Sequence, residues 1–364
     1  MTIVTFSQQV NYKAKLKIMR YLLFWLTISL MVINCKEKEN LTTSKEIEKL
    51  GESPQSFTLV HDKAVKLETR NGAIITIEPN TFEFSDGMSP DKTIHLDVKE
   101  VYQKSEMILD NLTTTSDGRL LESLGMIFME ASSEGKQLKL KSNKSISVSI
   151  PNKNGIYNGE LFYGEKTDSV LNWKYAGTTR DITEVVEIVI PKSDRRNAIK
   201  RTTYKYIDGV KEFVSDTTFI IKGDYASNVI LSIGIDSAIG MPQNTYEFQI
   251  ENLGWINCDR FVEVQEKVDF TIKLENHSDP VGYLVFSSIN SVMPVYFDKN
   301  GKAMLSNLPK DYNVDLLVID KIKDDMMWVK KPLKIRSDNE MVLKTSKISK
   351  EKLKAAIKAL DKSK

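Results

Sequence analysis

The sequence predicts a mainly β protein built of tandem antiparallel β-sandwich domains of Ig-like type, followed by a short C-terminal α-helix. Two patterns support this fold class. Polar and apolar residues alternate along segments such as Thr93–Val98 and Ser145–Pro151, which is the period of a half-buried strand. Turn dipeptides such as Asn71-Gly72 separate these segments at the short spacing typical of an antiparallel sandwich.

The first 34 residues are predicted to be a secretory signal. Basic residues precede Tyr21–Ile33, an apolar run without any charged side chain. A basic segment, a short apolar core and a processing site make up such a signal, whereas a membrane-spanning helix needs about 20 apolar residues. Met19 is an alternative start for this signal, because the lead segment before it is unusually long.

The apolar run ends in Val32-Ile33-Asn34-Cys35, which resembles the lipobox of bacterial lipoproteins. The resemblance implies that the Cys35 thiol carries a diacylglyceryl group and that a dedicated peptidase cuts before it. Asn34 departs from the Gly, Ala or Ser that usually stands there. The alternative is an ordinary signal peptide followed by an incidental thiol. Lipidation is the preferred prediction, and it leaves Cys258 without a second cysteine for a disulfide.

The segment 35–55 is polar and is predicted to be a flexible tether. Its first residues, Cys35-Lys-Glu-Lys-Glu39, resemble the charged tether of surface-exposed lipoproteins of the Bacteroidota. The predicted location is therefore the cell envelope, as an outer-membrane lipoprotein that faces the cell surface. An anchor of two or more acyl chains holds a protein firmly, at roughly 0.8 kcal/mol per buried CH₂.

Composition excludes one class of partner. The chain has 51 Lys and Arg residues against 49 Asp and Glu residues, so the two signs nearly balance. A nucleic-acid-binding protein needs a clustered basic face, and no nucleic-acid partner is expected. The membrane, through the lipid anchor, is the first predicted partner, and a protein or glycan at the cell surface is the second.

The segment 56–165 resembles the ZU5-like β-sandwich of Bacteroidota surface proteins. The resemblance implies a fold and is almost silent on activity, because fold does not determine function. Some ZU5 domains cleave themselves at a His-Phe-Ser site, but no histidine of this chain precedes a phenylalanine, so this activity is not implied. The resemblance is carried by Asn71–Phe82, Ile94–Tyr102, Met107–Ser116, Leu120–Ala131 and Leu138–Pro151.

Two further β segments are predicted. The segment 166–250 forms a middle β domain, with strand patterns at Glu184–Pro191 and Thr203–Val214 and a hairpin turn at Asp208-Gly209. The segment 251–345 resembles a carboxypeptidase-regulatory-type sandwich, which implies a structural or adhesive module without catalysis. That resemblance is carried by Val281–Phe286, Met293–Phe297, Asp298–Leu305, Leu308-Pro309 and Tyr312–Ile319.

The segment 346–364 is predicted to contain a helix. Ser349 can cap its N-terminus, and Leu353, Ile357 and Leu360 fall on one face. Basic amphipathic helices can lie on membranes, but docking against the last sandwich is the preferred interpretation.

No constellation of residues identifies a reaction. The sequence lacks the common metal, hydrolase and nucleotide motifs, so no catalytic residue, metal site or cofactor is predicted. His95 lies on the polar side of a strand pattern. His277, Ser278 and Asp279 are consecutive, and neighbouring residues of an extended chain point apart, so they cannot form a triad.

Asn252–Phe261 is the most unusual segment, and two hypotheses describe it. In one it is a recognition loop, in which Trp255 stacks on a sugar or peptide and Asp259 or Arg260 makes polar contacts. In the other, Trp255, Cys258 and Phe261 are buried as a plug between the middle and last sandwiches. The plug is preferred, because Cys and Trp are more often buried than displayed.

The predicted function is a non-catalytic adhesion, scaffold or ligand-binding module held at the cell envelope by a lipid anchor. The alternative is a surface hydrolase or carbohydrate-processing enzyme with an unrecognised carboxylate site. A glycosidase needs only two carboxyl groups about 5 to 9.5 Å apart, and sequence cannot exclude such a pair. A deep cleft with paired, partly buried carboxylates would favour the enzyme.

Overall fold

The computed structural model describes residues 42–152, 159–167, 170–176, 183–191, 196–207, 210–222, 243–336 and 340–362. The predicted signal, Cys35 and the predicted Asp208-Gly209 turn lie outside these residues. Within them the chain is mainly antiparallel β structure with a short C-terminal helix, so the predicted fold class is confirmed.

The described elements are three short α-helices and 24 strands. The helices are α1 (Thr43–Glu48), α2 (Lys104–Leu109) and α3 (Lys350–Lys358), and a 3₁₀ turn, Ala359–Lys362, follows α3. The strands are β1 (Gln55–Val60), β2 (Val65–Glu68), β3 (Ile74–Ile77), β4 (Phe82–Phe84), β5 (Thr93–Val101), β6 (Thr115–Ser116), β7 (Arg119–Ser133), β8 (Lys136–Leu140), β9 (Ile146–Pro151), β10 (Glu160–Thr167), β11 (Val170–Tyr175), β12 (Thr183–Pro191), β13 (Arg196–Ile207), β14 (Val210–Lys222), β15 (Gln243–Ile250), β16 (Gly254–Phe261), β17 (Lys267–Glu275), β18 (Val281–Phe286), β19 (Val292–Val295), β20 (Lys302–Pro309), β21 (Asn313–Ile322), β22 (Asp325–Lys334), β23 (Glu340–Lys344) and β24 (Ser346–Ile348).

Two large sheets form the first sandwich. One has the order β1-β5-β7-β16-β10-β11, with β4, β6 and β8 attached beside it, and the other has the order β14-β13-β12-β15-β9-β3-β2. Between them lies an apolar core that includes Ile75, Leu96, Val148, Phe248 and Ile256. Along β3 and β9 every second side chain is buried in this core, as the sequence pattern predicts.

Hydrogen bonding in both sheets crosses the segment limits that the sequence suggested. Strand β15, from the predicted middle domain, pairs with β9 of the ZU5-like segment. Strand β16, from the predicted last segment, pairs with β7 on one side and with β10 on the other. The middle segment therefore contributes strands to the same two sheets as the segment before it.

A second, smaller sandwich follows. Its sheets have the orders β20-β17-β23 and β19-β18-β21-β22-β24, and its core includes Phe270, Leu284, Phe286, Leu316 and Leu343. All pairs in it are antiparallel except β17 with β23, which run parallel.

A third apolar cluster joins the two sandwiches and the helices. We call it the junction cluster; it includes Ile47, Met107, Phe162, Trp173, Tyr283, Leu317 and Leu353. The apolar face of the C-terminal helix is buried here, since Leu353 is 0% exposed and Ile357 and Leu360 are each 1% exposed. Ser349 caps α3 by accepting a hydrogen bond from the Lys352 backbone N–H. The helix thus docks on the fold.

The described part of the predicted tether is also packed. Helix α1 lies inside that segment, and its Ile47 is fully buried. Glu46 forms ion pairs with Lys350 at 2.6 Å and with Lys321 at 3.4 Å, and these pairs hold the pKa of its carboxyl below the usual value. The two lysines lie 275 and 304 residues away from Glu46 in sequence. The polar composition of the tether segment therefore gave no sign of this packing.

Candidate functional site

The unusual segment Asn252–Phe261 is mostly strand β16, a central strand of the first sheet. Because side chains alternate along a strand, its residues divide between two environments. Ile256 and Cys258 belong to the first sandwich core, whereas Trp255 and Phe261 pack against the junction cluster.

Trp255 lies at the start of β16 and is half-buried. Its ring is 5.2 Å from the ring of Phe128, the residue paired with it on β7. Gly164 on β10 is required beside it, because a Cβ there would lie 2.9 Å from the Trp255 Cβ and 2.8 Å from Leu171. Trp255 lines a cavity of about 640 Å³ together with residues that follow α1.

The middle of β16 is fully buried. Cys258 is 0% exposed, and burial raises the pKa of its thiol well above the usual value, so the thiol stays protonated and unreactive. Asp259 is also 0% exposed, and its Oδ2 accepts a hydrogen bond from Asn257 Nδ2 at 2.5 Å. Burial raises the pKa of Asp259 to about 7, although hydrogen bonds from Ser123 and Asn257 oppose the rise.

The end of β16 is polar and aromatic. Arg260 donates from Nε and Nη2 to Glu122 Oε2, at 3.0 and 2.7 Å. The Arg119 guanidinium lies 3.6 Å from the centre of the Phe261 ring, a cation–π stack. The rings of Phe261 and Phe162 also meet edge to face, with centroids 5.5 Å apart. Each side chain of this end is therefore held by a neighbouring strand.

These side chains border a cavity of about 950 Å³, which we call the junction cavity. Central strands of the first sheet supply Arg119, Glu122, Glu160, Arg260 and Phe261, and the second sandwich closes the cavity with Ile289 and Tyr312. Ligand sites occur preferentially at such interfaces between domains, where a few polar groups converge on an apolar and aromatic wall.

Glu160 is a carboxyl of this cavity whose pKa is raised. Burial raises its pKa, while the charge of Arg119 and a hydrogen bond with Tyr175 lower it. Its Oε2 is buried and has no hydrogen-bond partner in the described part of the chain. Glu122 is 6% exposed and bound by Arg260. Glu122 and Glu160, two of the four carboxyl groups that line the cavity, thus lie in different environments.

The structure brings some of the predicted site residues together and separates others. Arg260 and Phe261 share the junction cavity, but Trp255 is five residues away along the strand, about 17 Å at 3.3 Å per residue. Cys258 and Asp259 line neither cavity. Trp255 and Arg260 therefore cannot contact the same small ligand.

Sequence reasoning missed Arg119, Glu122 and Glu160. They belong to β7 and β10, which meet β16 through the register pairs of Arg260 with Glu122 and of Asp259 with Glu160. A bulge between Cys258 and Asp259 shifts this register. These residues sit within strands, and nothing in the local sequence distinguishes them from other strand residues.

The consecutive residues His277, Ser278 and Asp279 have structural contacts. The backbone N–H groups of Ser278 and Asp279 donate to the Asp320 carboxylate, at 2.8 and 2.9 Å. The Asp279 carboxylate accepts from the Thr43 backbone N–H at 2.9 Å and so fixes the start of α1. Across the described ranges, no group of three or more His, Cys, Asp or Glu side chains is arranged to hold a metal ion.

No protein-family model matches the chain, and no curated protein sequence matches it significantly. Among the residues that the structure describes, no helix combines the length and the apolar character needed to cross a membrane.

Proposed function

We propose that this chain is a lipid-anchored cell-envelope protein that serves as a non-catalytic ligand-binding module, with the junction cavity as its binding site. The observation that carries the proposal is the convergence of three central strands, β7, β10 and β16, on one cavity of about 950 Å³ between two sandwiches. Side chains on central strands are held more firmly than side chains on loops, which suits a preorganised binding site.

The sequence supports the anchor and the location. The lipobox-like run ending at Cys35 and the charged residues after it favour an outer-membrane lipoprotein that faces the cell surface. The resemblances to ZU5-like and carboxypeptidase-regulatory-type sandwiches favour a binding or scaffold role, because such modules carry binding surfaces without a catalytic apparatus of their own.

A fractionation experiment tests the anchor. Cys35→Ser should release the protein from the outer-membrane fraction or leave it as an uncleaved precursor, because the acyl chains can no longer be attached. Cys258→Ala is the matched control, since it removes the other cysteine and should leave the protein in the membrane. A Cys35→Ser protein that fractionates and migrates like the wild type would contradict the anchor.

A glycan array probed with the detergent-solubilised full chain tests the binding site. Tyr175 lines the junction cavity and is 42% exposed, so Tyr175→Ala should weaken binding without unfolding the sheet. Phe213→Ala is the control, because Phe213 is exposed and lies outside the cavity lining. Equal binding by the wild type and Tyr175→Ala would remove the junction cavity as the site.

One observation favours a carbohydrate-processing enzyme as a second candidate. Glu122 and Glu160 line the same cavity, and burial raises the pKa of Glu160 as it does for the general acid of glycosidases. However, Arg260 donates two N–H groups to Glu122 Oε2, and this ion pair makes the carboxylate a weaker nucleophile or base. Mass spectrometry of array ligands incubated with the protein separates the candidates: cleavage that Glu160→Gln abolishes would favour the enzyme.

A further inference from the structure

Resting on the proposed binding function, we propose that the junction cavity binds a saccharide that carries a carboxylate group, and that Arg119 holds this carboxylate. The chemical class of the ligand follows from the groups around the cavity that still have hydrogen-bonding capacity to offer.

Arg119 is the available cation. Its guanidinium is stacked on the Phe261 ring, 3.6 Å from the centroid. No acidic side chain of the described residues lies within ion-pair distance of it. A guanidinium that is stacked by its face leaves its N–H groups free in the plane of the group, in the fork that matches the two oxygens of a carboxylate.

The other cations in or beside the cavity wall already have partners. Arg260 is paired with Glu122 at 2.7 Å, and Lys174, just outside the wall, neutralises Asp117 at 2.6 Å. Glu160 attracts Arg119, but burial raises the pKa of Glu160 and so disfavours its charged form. Arg119 is therefore left as the group most able to bind a new anion.

The remaining acidic side chains of the cavity favour a ligand that carries hydroxyl groups. Glu160 and Glu263 also line the cavity, and both can accept hydrogen bonds. Glu263 would repel a multiply charged anion such as a phosphate, whereas the hydroxyl groups of a sugar would donate to both carboxyl groups. One carboxylate together with several hydroxyl groups on a ring is the composition of an acidic sugar.

The aromatic side chains add a stacking surface. Phe261, Tyr175 and Tyr312 line the cavity, and aromatic rings pack against the apolar faces of small cyclic ligands. An extended acidic peptide is the competing occupant. Peptides commonly bind by adding a strand to an open sheet edge, but here β16 is paired with β7 and β10, and β7 is paired also with β6. The cavity thus favours a saccharide.

Isothermal titration of the detergent-solubilised full chain tests the ligand class. The probes are trimers of galacturonate, mannuronate and glucuronate, each compared with its fully methyl-esterified form, and tri-glutamate as an acidic peptide. We expect saturable binding of at least one acidic trimer and binding of its ester at least tenfold weaker, because esterification removes the charge and leaves the ring unchanged.

Variants of Arg119 complete the test. Arg119→Gln should weaken binding of the acidic trimer at least tenfold, and Arg119→Lys should bind with intermediate affinity, because it keeps the charge and loses the fork. Arg70→Gln is the matched control, since Arg70 is an exposed arginine outside the cavity wall. Circular dichroism should show the same fold for all three variants.

Four outcomes would overturn the inference: no binding of any acidic trimer, equal binding of acid and ester, binding unaffected by Arg119→Gln, or binding of tri-glutamate in place of the sugars. Neutral glycans that bind on the array and depend on Tyr175 would overturn the acidic ligand alone, and the binding function would stand. Loss of the array signal altogether would count against the function itself.

Discussion

In the middle of strand β16, the side chains on the two faces are buried to the same depth and have opposite chemistry. On the face toward the first sandwich core, Ile256 and Cys258 are 0% exposed and apolar. On the face toward the junction, Asn257 and Asp259 are also 0% exposed but polar. Depth of burial therefore does not decide whether a side chain of β16 is polar or apolar. The neighbouring groups on each side of the strand decide it.

The physical reason is the kind of neighbour on each side. The sandwich face meets side chains of another sheet, whose backbone groups are bonded within that sheet. On the junction side, the paired strand β7 bonds to a loop between β18 and β19: Asn290 exchanges hydrogen bonds with the Ser123 backbone, and Ser291 Oγ donates to the Leu121 carbonyl. Loop backbone brings polar groups that must be satisfied, so polar side chains accompany it.

The largest expected effect tests the apolar face. Ile256→Ala should lower the free energy of unfolding by about 2 to 5 kcal/mol, because it removes buried methylene groups and leaves a cavity in a core between two sheets. Urea unfolding followed by circular dichroism measures it. Val342→Ala is the control, since Val342 is 56% exposed and should change stability by less than about 0.5 kcal/mol.

The second effect tests the polar face. The pKa of Asp259 is about 7 in the folded chain and about 3.9 in an unfolded chain, so the folded state binds its proton more tightly. The resulting stability is present in full below about pH 4, is lost as the pH rises toward 7, and is constant above that. At about 1.4 kcal/mol for each pH unit, the upper limit is about 4 kcal/mol.

Asp259→Asn should remove this slope from the stability measured between pH 4 and pH 7, because the amide cannot ionise. Its oxygen can still accept from Asn257 Nδ2, as the carboxylate does. Asp325→Asn is the matched control on an exposed surface pair with Lys347. If Asp259→Asn and the wild type show the same slope, ionisation of Asp259 does not destabilise the folded chain in the way that its burial predicts.

The smallest effect concerns Trp255, at the start of β16. Because Trp255 is half-buried, Trp255→Ala should cost about 2 kcal/mol, less than the roughly 3 to 5 kcal/mol of a fully buried tryptophan. Trp173 provides that reference: it is 0% exposed and its indole N–H donates to the Thr113 carbonyl at 2.5 Å.

Acrylamide quenching of single-tryptophan variants measures the difference in exposure. A chain that keeps only Trp255 should be quenched more strongly, and emit at longer wavelength, than a chain that keeps only Trp173. Emission from Trp255 as blue-shifted and protected as that of Trp173 would instead support the buried plug that the sequence favoured.

The sequence alone determined several strands and the last helix. Alternation over Ser145–Pro151 predicted β9, and alternation over Thr93–Val98 predicted most of β5. The cap at Ser349 and the apolar spacing after it predicted α3 and its buried face. These features depend on residues close in sequence, where the two-residue and 3.6-residue periods state directly which side chains share a face.

Only the tertiary structure decided the partners. Alternation states that Asp259 and Phe261 share a face of β16, but not that β7, more than 100 residues earlier in the chain, supplies Glu122 opposite Arg260. Pairing between distant strands depends on register and on a bulge, and neither has a local sequence signal here. The cavity, the buried Asp259 and the Arg119 stack all follow from that pairing.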